Sequence, residues 1–230
     1  MNTVKLRSLC QFCMIGFAVT MIGGCSTLLP SSPPPSSYYS LDGYESKANV
    51  QNPRQAPMVK RTMIINIPRA AAGYDSQHII YVRKAHKLEY FAHSEWIDTP
   101  ARMLAPLLVN AIEDSHAFSA VVQYPNHVIG DVRLDSEIIR LQQEFDSQPS
   151  KVRFTLRVYL VNNVTKKVIA WREFDETAIA TSDDPFGGVV AANKVVKTVL
   201  EKLAIFCSEA LLLSQNSMLQ DSVKRTASNH

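Results

Sequence analysis

The sequence has little of what catalytic and phosphate-binding sites usually need. Glycine accounts for only eight of the 230 residues, and no Walker or dinucleotide-binding pattern occurs, which excludes ATP hydrolysis by this chain. The Gly-x-Ser-x-Gly turn that exposes a nucleophilic serine is also missing. A net charge of +3 is too small to indicate a nucleic-acid partner. Hydrophobic residues make up 46% of the chain, so a wholly disordered protein is excluded as well.

Metal ligands and reactive thiols are equally sparse. No two of the six histidines lie three or four residues apart on one predicted helix. Glu89 and His93 share the face of a predicted strand, but residues four apart on a strand are about 13 Å apart. We therefore expect no metal site and no catalytic residue. Cys207 follows Phe206 at the edge of an apolar helical stripe, and we expect a buried thiol there rather than a nucleophile.

The N-terminus is typical of an export signal. Residues 1–24 contain Lys5 and Arg7 but no acid, and their apolar run of about 14 residues is short of the roughly 20 that a membrane-spanning helix needs. The run ends in Ile22-Gly23-Gly24-Cys25, which resembles the bacterial lipobox. We therefore expect diacylglycerol on the Cys25 thiol and an acyl chain, typically palmitate, on its freed amine, which together anchor stably. We expect no other cofactor. An ordinary cleaved signal, or a buried cysteine in an uncleaved anchor, are the alternatives.

The sequence also predicts a subcellular location and the boundaries of the domain. Ser26 follows the cysteine where an Asp would resemble the inner-membrane retention signal of enteric bacteria, which favours the outer membrane with the domain in the periplasm. Residues 25–37 form a lipidated N-terminus and a Pro/Ser-rich linker that can extend about 40 Å. Residues 38–213 form one domain, and 214–230 a polar tail. Removal of residues 1–24 lowers the net charge from +3 to +1.

Alternating apolar residues predict a set of strands. Short strands are expected at 38–41 and 61–67, and strands at 78–83 and 87–93 are expected to form a hairpin. After a short strand at Val121, a strand from Asp131 changes phase at 138–139, which predicts a bulge or a bend. Residues 152–160 alternate without interruption and are expected to pair with 166–181 across a turn.

Two helices complete the predicted fold. The first starts at Asp98-Thr99-Pro100, an N-cap followed by proline, and contains Pro106 as a bend. The second runs from Gly188 to about Leu213, with Asp183 and Asp184 as caps. This order of elements predicts an α+β fold, a mostly antiparallel β-sheet with two main helices packed on one face.

Charged residues on two strands leave two interpretations open. Asp131, Asp135 and Glu137 share a predicted strand face with Arg133. On the next strand, basic and aromatic residues alternate with buried positions. A solvated sheet face explains this pattern, and so does a surface that contacts a partner protein. The residues of the second strand are Arg153, Arg157 and Tyr159.

Several short patterns occur in a recognisable order. They are Tyr38-Tyr39-x-Leu41, then Ala71-Ala72-Gly73-Tyr74-Asp75-Ser76, then Ile80-Tyr81-Val82-Arg83, then Leu88-Glu89-Tyr90-Phe91-Ala92-His93-Ser94-x-Trp96, then Pro100-x-x-Met103-Leu104. Together with the lipobox they resemble the ABC-type transport auxiliary lipoprotein family, over roughly residues 37–212. Ile97-Asp98-Thr99 departs from the family pattern and alters the helix cap.

The resemblance implies a function without catalysis. Family members resemble docking lipoproteins that serve MCE-domain lipid transporters, which have an inner-membrane permease and ATPase and a periplasmic MCE component. The family has no catalytic residues to carry over, so an enzyme is not expected. A homo-oligomeric ring would suit a lipid-conducting partner, and the oligomeric state stays open. The alternative is a structural or assembly lipoprotein of another cell-envelope machine. Packing and turn roles are implied for the positions that match the pattern, which are Tyr38, Tyr39, Leu41, Tyr74, Asp75, Tyr81 and Trp96.

Overall fold

A computed structural model describes residues 35–44 and 59–227, with side chains described as far as Ser214. The signal peptide, Cys25 and most of the linker lie outside the described residues, so the interpretations placed on them stay predictions. Within the described residues the chain forms nine strands and two helices, and the predicted α+β class is confirmed. The elements are β1 Ser37–Tyr39, β2 Val59–Ile65, β3 Arg69–Ala70, β4 His78–Lys84, β5 Lys87–Trp96, α1 Pro100–Glu113, β6 Phe118–Gln123, β7 Val132–Glu144, β8 Lys151–Asn162, β9 Val168–Ile179 and α2 Pro185–Ala227.

All nine strands belong to one mixed sheet organised around β7. On one side β7 pairs with β8, which pairs with β9, and both ladders are antiparallel as predicted. On its other side β7 pairs in parallel with β2, β3 and β4 at successive points along its length. The β4–β5 hairpin is antiparallel, whereas β6 joins β2 and β1 joins β5 in parallel. The sequence did not predict the parallel pairs, because their partners are distant in the chain and no turn connects them.

A bulge in β7 confirms the predicted change of phase. Ile138 lies opposite Leu156 and Arg140 opposite Thr155, so Ile139 is an extra residue on its strand. Because of it, Ile138 and Leu141 both face the core, although three positions would otherwise place them on opposite faces.

The core lies between the sheet and the helices, which cover one of its faces. Every second residue of β8 is buried from Val152 to Leu160, as its alternation predicts, and Phe154 is fully buried. Leu104 and Leu108 of α1 and Val199 and Leu203 of α2 belong to the same cluster. Full burial of a side chain of this size stabilises a fold by about 1.5–3 kcal/mol. The opposite face of β7–β9 carries the polar members of the alternation.

The start of α1 differs in detail from the predicted cap. Thr99 is the N-cap and Pro100 the first helical residue, but the Thr99 side chain makes no capping hydrogen bond. Asp98 Oδ1 instead accepts a hydrogen bond from the Thr99 N–H, 2.7 Å away, and its Oδ2 lies 3.2 Å from Arg102 Nε. Pro106 lies inside the helix, as expected.

Of the two acids predicted to cap α2, Asp184 does so and Asp183 does not, and the helix begins at Pro185 rather than at Gly188. Asp184 Oδ1 accepts a hydrogen bond from the Gly187 N–H at 2.7 Å, and Asp183 Oδ1 accepts one from the Ser150 N–H. A Cβ on Gly188 would lie 2.2 Å from Gln143 Oε1, so this glycine allows the helix to approach the sheet closely. The helix continues to Ala227, beyond the predicted end near Leu213. Neither described helix is long and apolar enough to cross a membrane.

Candidate functional site

The sequence-predicted positions at the start of the domain lie along the edge formed by β1 and β5. Tyr39 is the register partner of Trp96, and the Ile97 N–H donates to the Tyr39 carbonyl at 2.8 Å. Leu41 and Trp96 are buried in the core cluster, whereas Tyr38 is largely exposed. The lipid-attachment residue of the prediction, Cys25, lies outside the described residues.

The other three predicted positions lie apart from that edge. The Tyr74 hydroxyl donates to Gln142 Oε1 at 2.5 Å, and burial raises the pKa of Tyr74. The Tyr81 ring packs against Phe91, with the ring centroids 4.5 Å apart. Asp75 is exposed in the turn before β4. The seven positions therefore do not converge on one cavity, and their structural roles stay a prediction.

The described part of the chain has no exposed thiol and no cluster of side chains placed to bind a metal ion. Cys207 is fully buried, and burial raises the pKa of its thiol to about 12. At neutral pH the thiol is therefore protonated, and a protonated thiol is a poor nucleophile. His78 stacks on Tyr90 and lies 3.7 Å from Glu95. Among described residues, no group of three His, Cys, Asp or Glu side chains is placed to hold a metal ion.

The face of β7–β9 opposite the helices is the first candidate surface, which we call the charged face. It brings together the residues that the sequence left open between a solvated face and a contact surface. On this face the acids lie mainly on β7 and β9, and the arginines of β8 lie between them. The charged face consists of Arg133, Asp135, Glu137, Arg153, Thr155, Arg157, Tyr159, Trp171, Glu173 and Asp175.

Three arginines of the charged face are each paired with an acid. Arg157 Nη2 lies 2.7 Å from Glu173 Oε2, across the β8–β9 ladder. Arg153 makes a two-pronged contact with Asp175, in which Nε donates to Oδ1 at 2.8 Å. On β7, Arg133 Nη2 lies 2.8 Å from Asp135 Oδ2. Two-pronged pairs of this kind fix the geometry of both side chains.

The pairs also shift proton affinities. The hydrogen bond from the Arg153 guanidinium, with a second from the Thr155 hydroxyl, lowers the pKa of Asp175 to about 2. The hydrogen bond to Asp175 raises the pKa of Arg153 in turn. Sequence analysis missed Glu173 and Asp175. Both acids lie on the strand predicted to pair with residues 152–160, but only the register of that pairing shows which arginine each acid contacts.

An aromatic pair stands at one end of the charged face. The Trp171 and Tyr159 rings stack with centroids 6.3 Å apart, and Trp171 is 62% exposed. Tryptophan, tyrosine and arginine dominate the energetic centres of protein interfaces. The composition of the charged face is therefore typical of a surface that contacts a protein partner. Sequence analysis did not single out Trp171.

A second candidate surface lies where the start of β7 meets the β8–β9 turn, and we call it the loop tip. It consists of the exposed residues Tyr124, Val128, Ile129, Val164 and Lys166. Ile129 is 93% exposed and Val164 80%, the highest values among the large hydrophobic side chains described. Sequence analysis missed this surface, because single apolar residues in loops carry no periodic signal.

A groove of about 620 Å³ runs between β9 and α2 on the helix side of the sheet. Ile169, Phe206 and Leu213 form part of its apolar lining. Arg172 lies over the Phe206 ring, with its guanidinium carbon 4.7 Å from the ring centroid. Glu209 and Lys167 also line the groove, so its walls combine apolar and charged side chains.

Comparisons with known proteins support one family. Residues 39–204 match the model of the family described as ABC-type transport auxiliary lipoprotein component. No curated protein sequence matches the chain.

Solved structures support the fold. A Xanthomonas campestris protein of the DUF330 family shares 20% identity, covers 79% of this chain and 99% of its own length, and superposes with a TM-score of 0.66. An uncharacterized protein shares 12% identity over 77% of this chain and 99% of its own, with a TM-score of 0.56.

Proposed function

The chain belongs to the ABC-type transport auxiliary lipoprotein family, and from this premise we propose that it is the docking adaptor of an ABC/MCE-type intermembrane lipid transport system. Family membership makes it an accessory lipoprotein of an ABC-type transport system in the cell envelope. The observation that carries the proposal is the family match over residues 39–204, which includes the whole charged face. The proposed partner is a periplasmic MCE-domain protein, with its permease and ATPase in the inner membrane.

The charged face is the proposed docking surface. Its arginines and acids already hold each other in place, so little side-chain freedom is lost when a partner binds. Trp171 supplies a large apolar contact beside them. A partner with complementary charges would thus find both an apolar centre and a polar rim, the usual plan of an interface.

The proposed anchor acts through concentration rather than chemistry. Acyl chains on Cys25 would hold the domain at the periplasmic side of the outer membrane, at the end of a spacer that reaches about 40 Å. Confinement of this kind raises the effective concentration of a binding module toward the millimolar range. The energy for transport comes from the distant ATPase, because this chain has no nucleotide site of its own.

Native co-purification of the full-length, lipidated protein tests the proposal. Solubilised membranes are passed over the tagged protein, and partners, stoichiometry and the modified Cys25 are identified by mass measurement. We expect the MCE component to be recovered with the wild-type protein. Replacement of the aromatic pair, W171A/Y159A, should lower its recovery at least about tenfold, since central aromatic residues are worth 2 kcal/mol or more.

The matched control is Phe186→Ala, which removes a similarly exposed aromatic ring at the start of α2. It should leave recovery unchanged. If no MCE component is recovered and deletion of the gene leaves the membrane lipid balance unaltered, the proposal is wrong. Recovery of a different envelope assembly would favour the structural or assembly role instead. A permease, ATPase and MCE gene beside this gene would favour the transport role.

A further inference from the structure

We propose that the loop tip is a membrane-contact surface that inserts into the head-group region of an anionic bilayer. This goes beyond docking to a partner, because it gives the domain a second contact with lipid besides its anchor. The inference rests on the exposure, rigidity and charge of two neighbouring loops, residues 124–131 and 162–168.

The two loops are joined by hydrogen bonds. The Asn163 side-chain Nδ2 donates to the Gly130 carbonyl at 3.0 Å, and its backbone N–H donates to the Asp131 carbonyl at 2.9 Å. Val164 follows Asn163 directly, and Ile129 precedes Gly130. The two most exposed aliphatic side chains of the described chain are thus carried side by side.

Each loop is also held rigid from within. Asn162 Oδ1 accepts hydrogen bonds from the N–H groups of Val164 and Thr165, at 3.0 and 2.8 Å. In the other loop, Asn126 Oδ1 accepts from the Val128 N–H at 2.8 Å. The exposure of Ile129 and Val164 is therefore built into the fold. Rigid exposed aliphatic side chains gain free energy when a partner covers them.

Gly130 fixes the path of the first loop. A Cβ at this position would lie 2.4 Å from Ile64 Cγ1, so only glycine lets the loop pack against β2. Ile64 is buried beneath the loop, whereas Ile129 points away from it into solvent. Of these two isoleucines, Ile64 is covered by the loop and Ile129 is exposed to solvent.

The charges around the loop tip suit anionic lipid. Lys166 and Lys167 follow Val164, and Asp131 is the single acid in the two loops. Asp131 Oδ2 is engaged by the Thr62 N–H at 2.8 Å. Among the described residues no carboxylate forms an ion pair with either lysine. Each lysine near an anionic membrane surface favours binding about fivefold.

A bilayer is the partner that we propose for the loop tip, because the expected lipid anchor would keep this domain close to a membrane. The chain belongs to a family of lipoproteins, and the acyl chains proposed on Cys25 would hold the domain near lipid at high effective concentration.

Aromatic side chains border the aliphatic ones. Tyr124 lies on the first loop and is mostly exposed, and Trp171 lies on β9, three residues beyond the end of the second loop. Both residue types collect at membrane–water interfaces, where the ring meets the acyl region and the polar group meets water. Aromatic rings suit a protein partner as well as a membrane interface. The lysines favour lipid head groups, because neither has an acidic partner among the described residues and Lys166 Nζ donates only to the neutral Asn163 Oδ1, at 3.0 Å.

Site-specific fluorescence on the full-length lipoprotein tests the inference. The wild-type thiols do not interfere, because Cys25 is acylated in the proposed mature form and Cys207 is buried. Single cysteines are introduced as I129C and V164C and labelled with bimane. The matched control is I179C, an isoleucine that is also highly exposed but lies at the far end of β9. The proteins are reconstituted into phosphatidylethanolamine vesicles containing phosphatidylglycerol.

We expect lipid-borne doxyl groups to quench the labels at 129 and 164 but not at 179, and aqueous iodide to show the reverse. The K166Q/K167Q variant should lower the equilibrium constant for insertion of the 129 label at least about tenfold, whereas K194Q/K197Q on α2 should not. Equal quenching at 129 and 179 would overturn the inference. Protection of the 129 label only after the MCE component is added would also overturn it, in favour of a protein contact. Thermal unfolding confirms that each variant is folded.

Discussion

The charged face and the loop tip are neighbouring surfaces of the same sheet, but they differ in how far their side chains are paired. The charged face consists mainly of paired charges, whereas the loop tip exposes aliphatic side chains and lysines that have no acidic partner among the described residues. On the charged face, Arg153 and Arg157 are paired with acids of the neighbouring strand. At the loop tip, Ile129 and Val164 stand in solvent and the nearby lysines have no acidic partner within the described chain. The charges of the first surface are already paired with one another, so a partner must match its shape and its pattern of charge. The exposed aliphatic side chains and lysines of the second surface are matched only when an apolar, negatively charged surface such as an anionic bilayer covers them.

The largest expected effect comes from the strand that supports both surfaces. Phe154 is fully buried in β8, whose outward residues form the charged face and whose end carries the turn of the loop tip. Phe154→Ala should lower the free energy of unfolding by about 3–5 kcal/mol, because it leaves a cavity in the core. Urea denaturation measures the change. Phe186→Ala is the control, since an exposed ring should cost no more than about 0.5 kcal/mol. Equal losses in the two variants would mean that β8 is not the shared support.

The next effect is a pH-dependent change in stability that is expected from the charged face. Asp175→Asn leaves Arg153 without its acid and should cost about 1 kcal/mol at neutral pH, since the pair is partly exposed. The pKa of Asp175 is lowered to about 2 in the folded protein, so its contribution is present above about pH 4 and lost as the pH falls through about 2. The stability difference from wild type should vanish over that window, as measured by urea titrations at several pH values. Phe186→Ala, which changes an exposed ring and no titratable group, should show no such window.

A smaller effect should follow from loosening the loop tip. Asn163→Ala removes the side-chain hydrogen bond to the Gly130 carbonyl but keeps the backbone bond to Asp131. The expected loss is about 0.5–1 kcal/mol. Hydrogen exchange should accelerate at residues 126–130 and leave β8 and β9 unchanged. Acceleration across the charged face instead would show that the two surfaces are not independent.

The smallest effect on folding is expected at the most exposed residue. Ile129→Ser should change the free energy of unfolding by less than about 0.5 kcal/mol, yet it should weaken the lipid contact. Ile64→Ser, in the buried isoleucine beneath the same loop, should cost about 2–4 kcal/mol because it buries a hydroxyl and opens a cavity. A large folding loss from Ile129→Ser would show that Ile129 serves the core rather than a surface.

What the sequence predicts well here is local. The alternation of β8, the phase change at Ile138–Ile139, the acidic cap at Asp184 and the buried thiol of Cys207 each leave a pattern within a few residues, and the structure has all of them. The parallel pairing of β2, β3 and β4 with β7 leaves none, because partners 60 or more residues apart share only a general apolar character.

The candidate surfaces follow the same division. The charged face was visible in part, since Arg153, Arg157 and Tyr159 alternate on one strand. Its acids on β9 become partners only when the register of the hairpin is known. The loop tip needs the sheet to be assembled first, because residues 129 and 164 become neighbours through hydrogen bonds between two loops that are separate in the chain.

The position of β7 sets the order in which this chain can fold. β2, β3 and β4 do not pair with one another, and all three depend on β7 for a common sheet. Until residue 144 has been synthesised, the preceding strands can form only separate fragments, such as the β4–β5 hairpin. Small unsupported fragments of this kind are marginally stable in water. A nascent chain of this sequence therefore stays open for more than half of its length, the state in which a polypeptide can still be threaded through a narrow export channel.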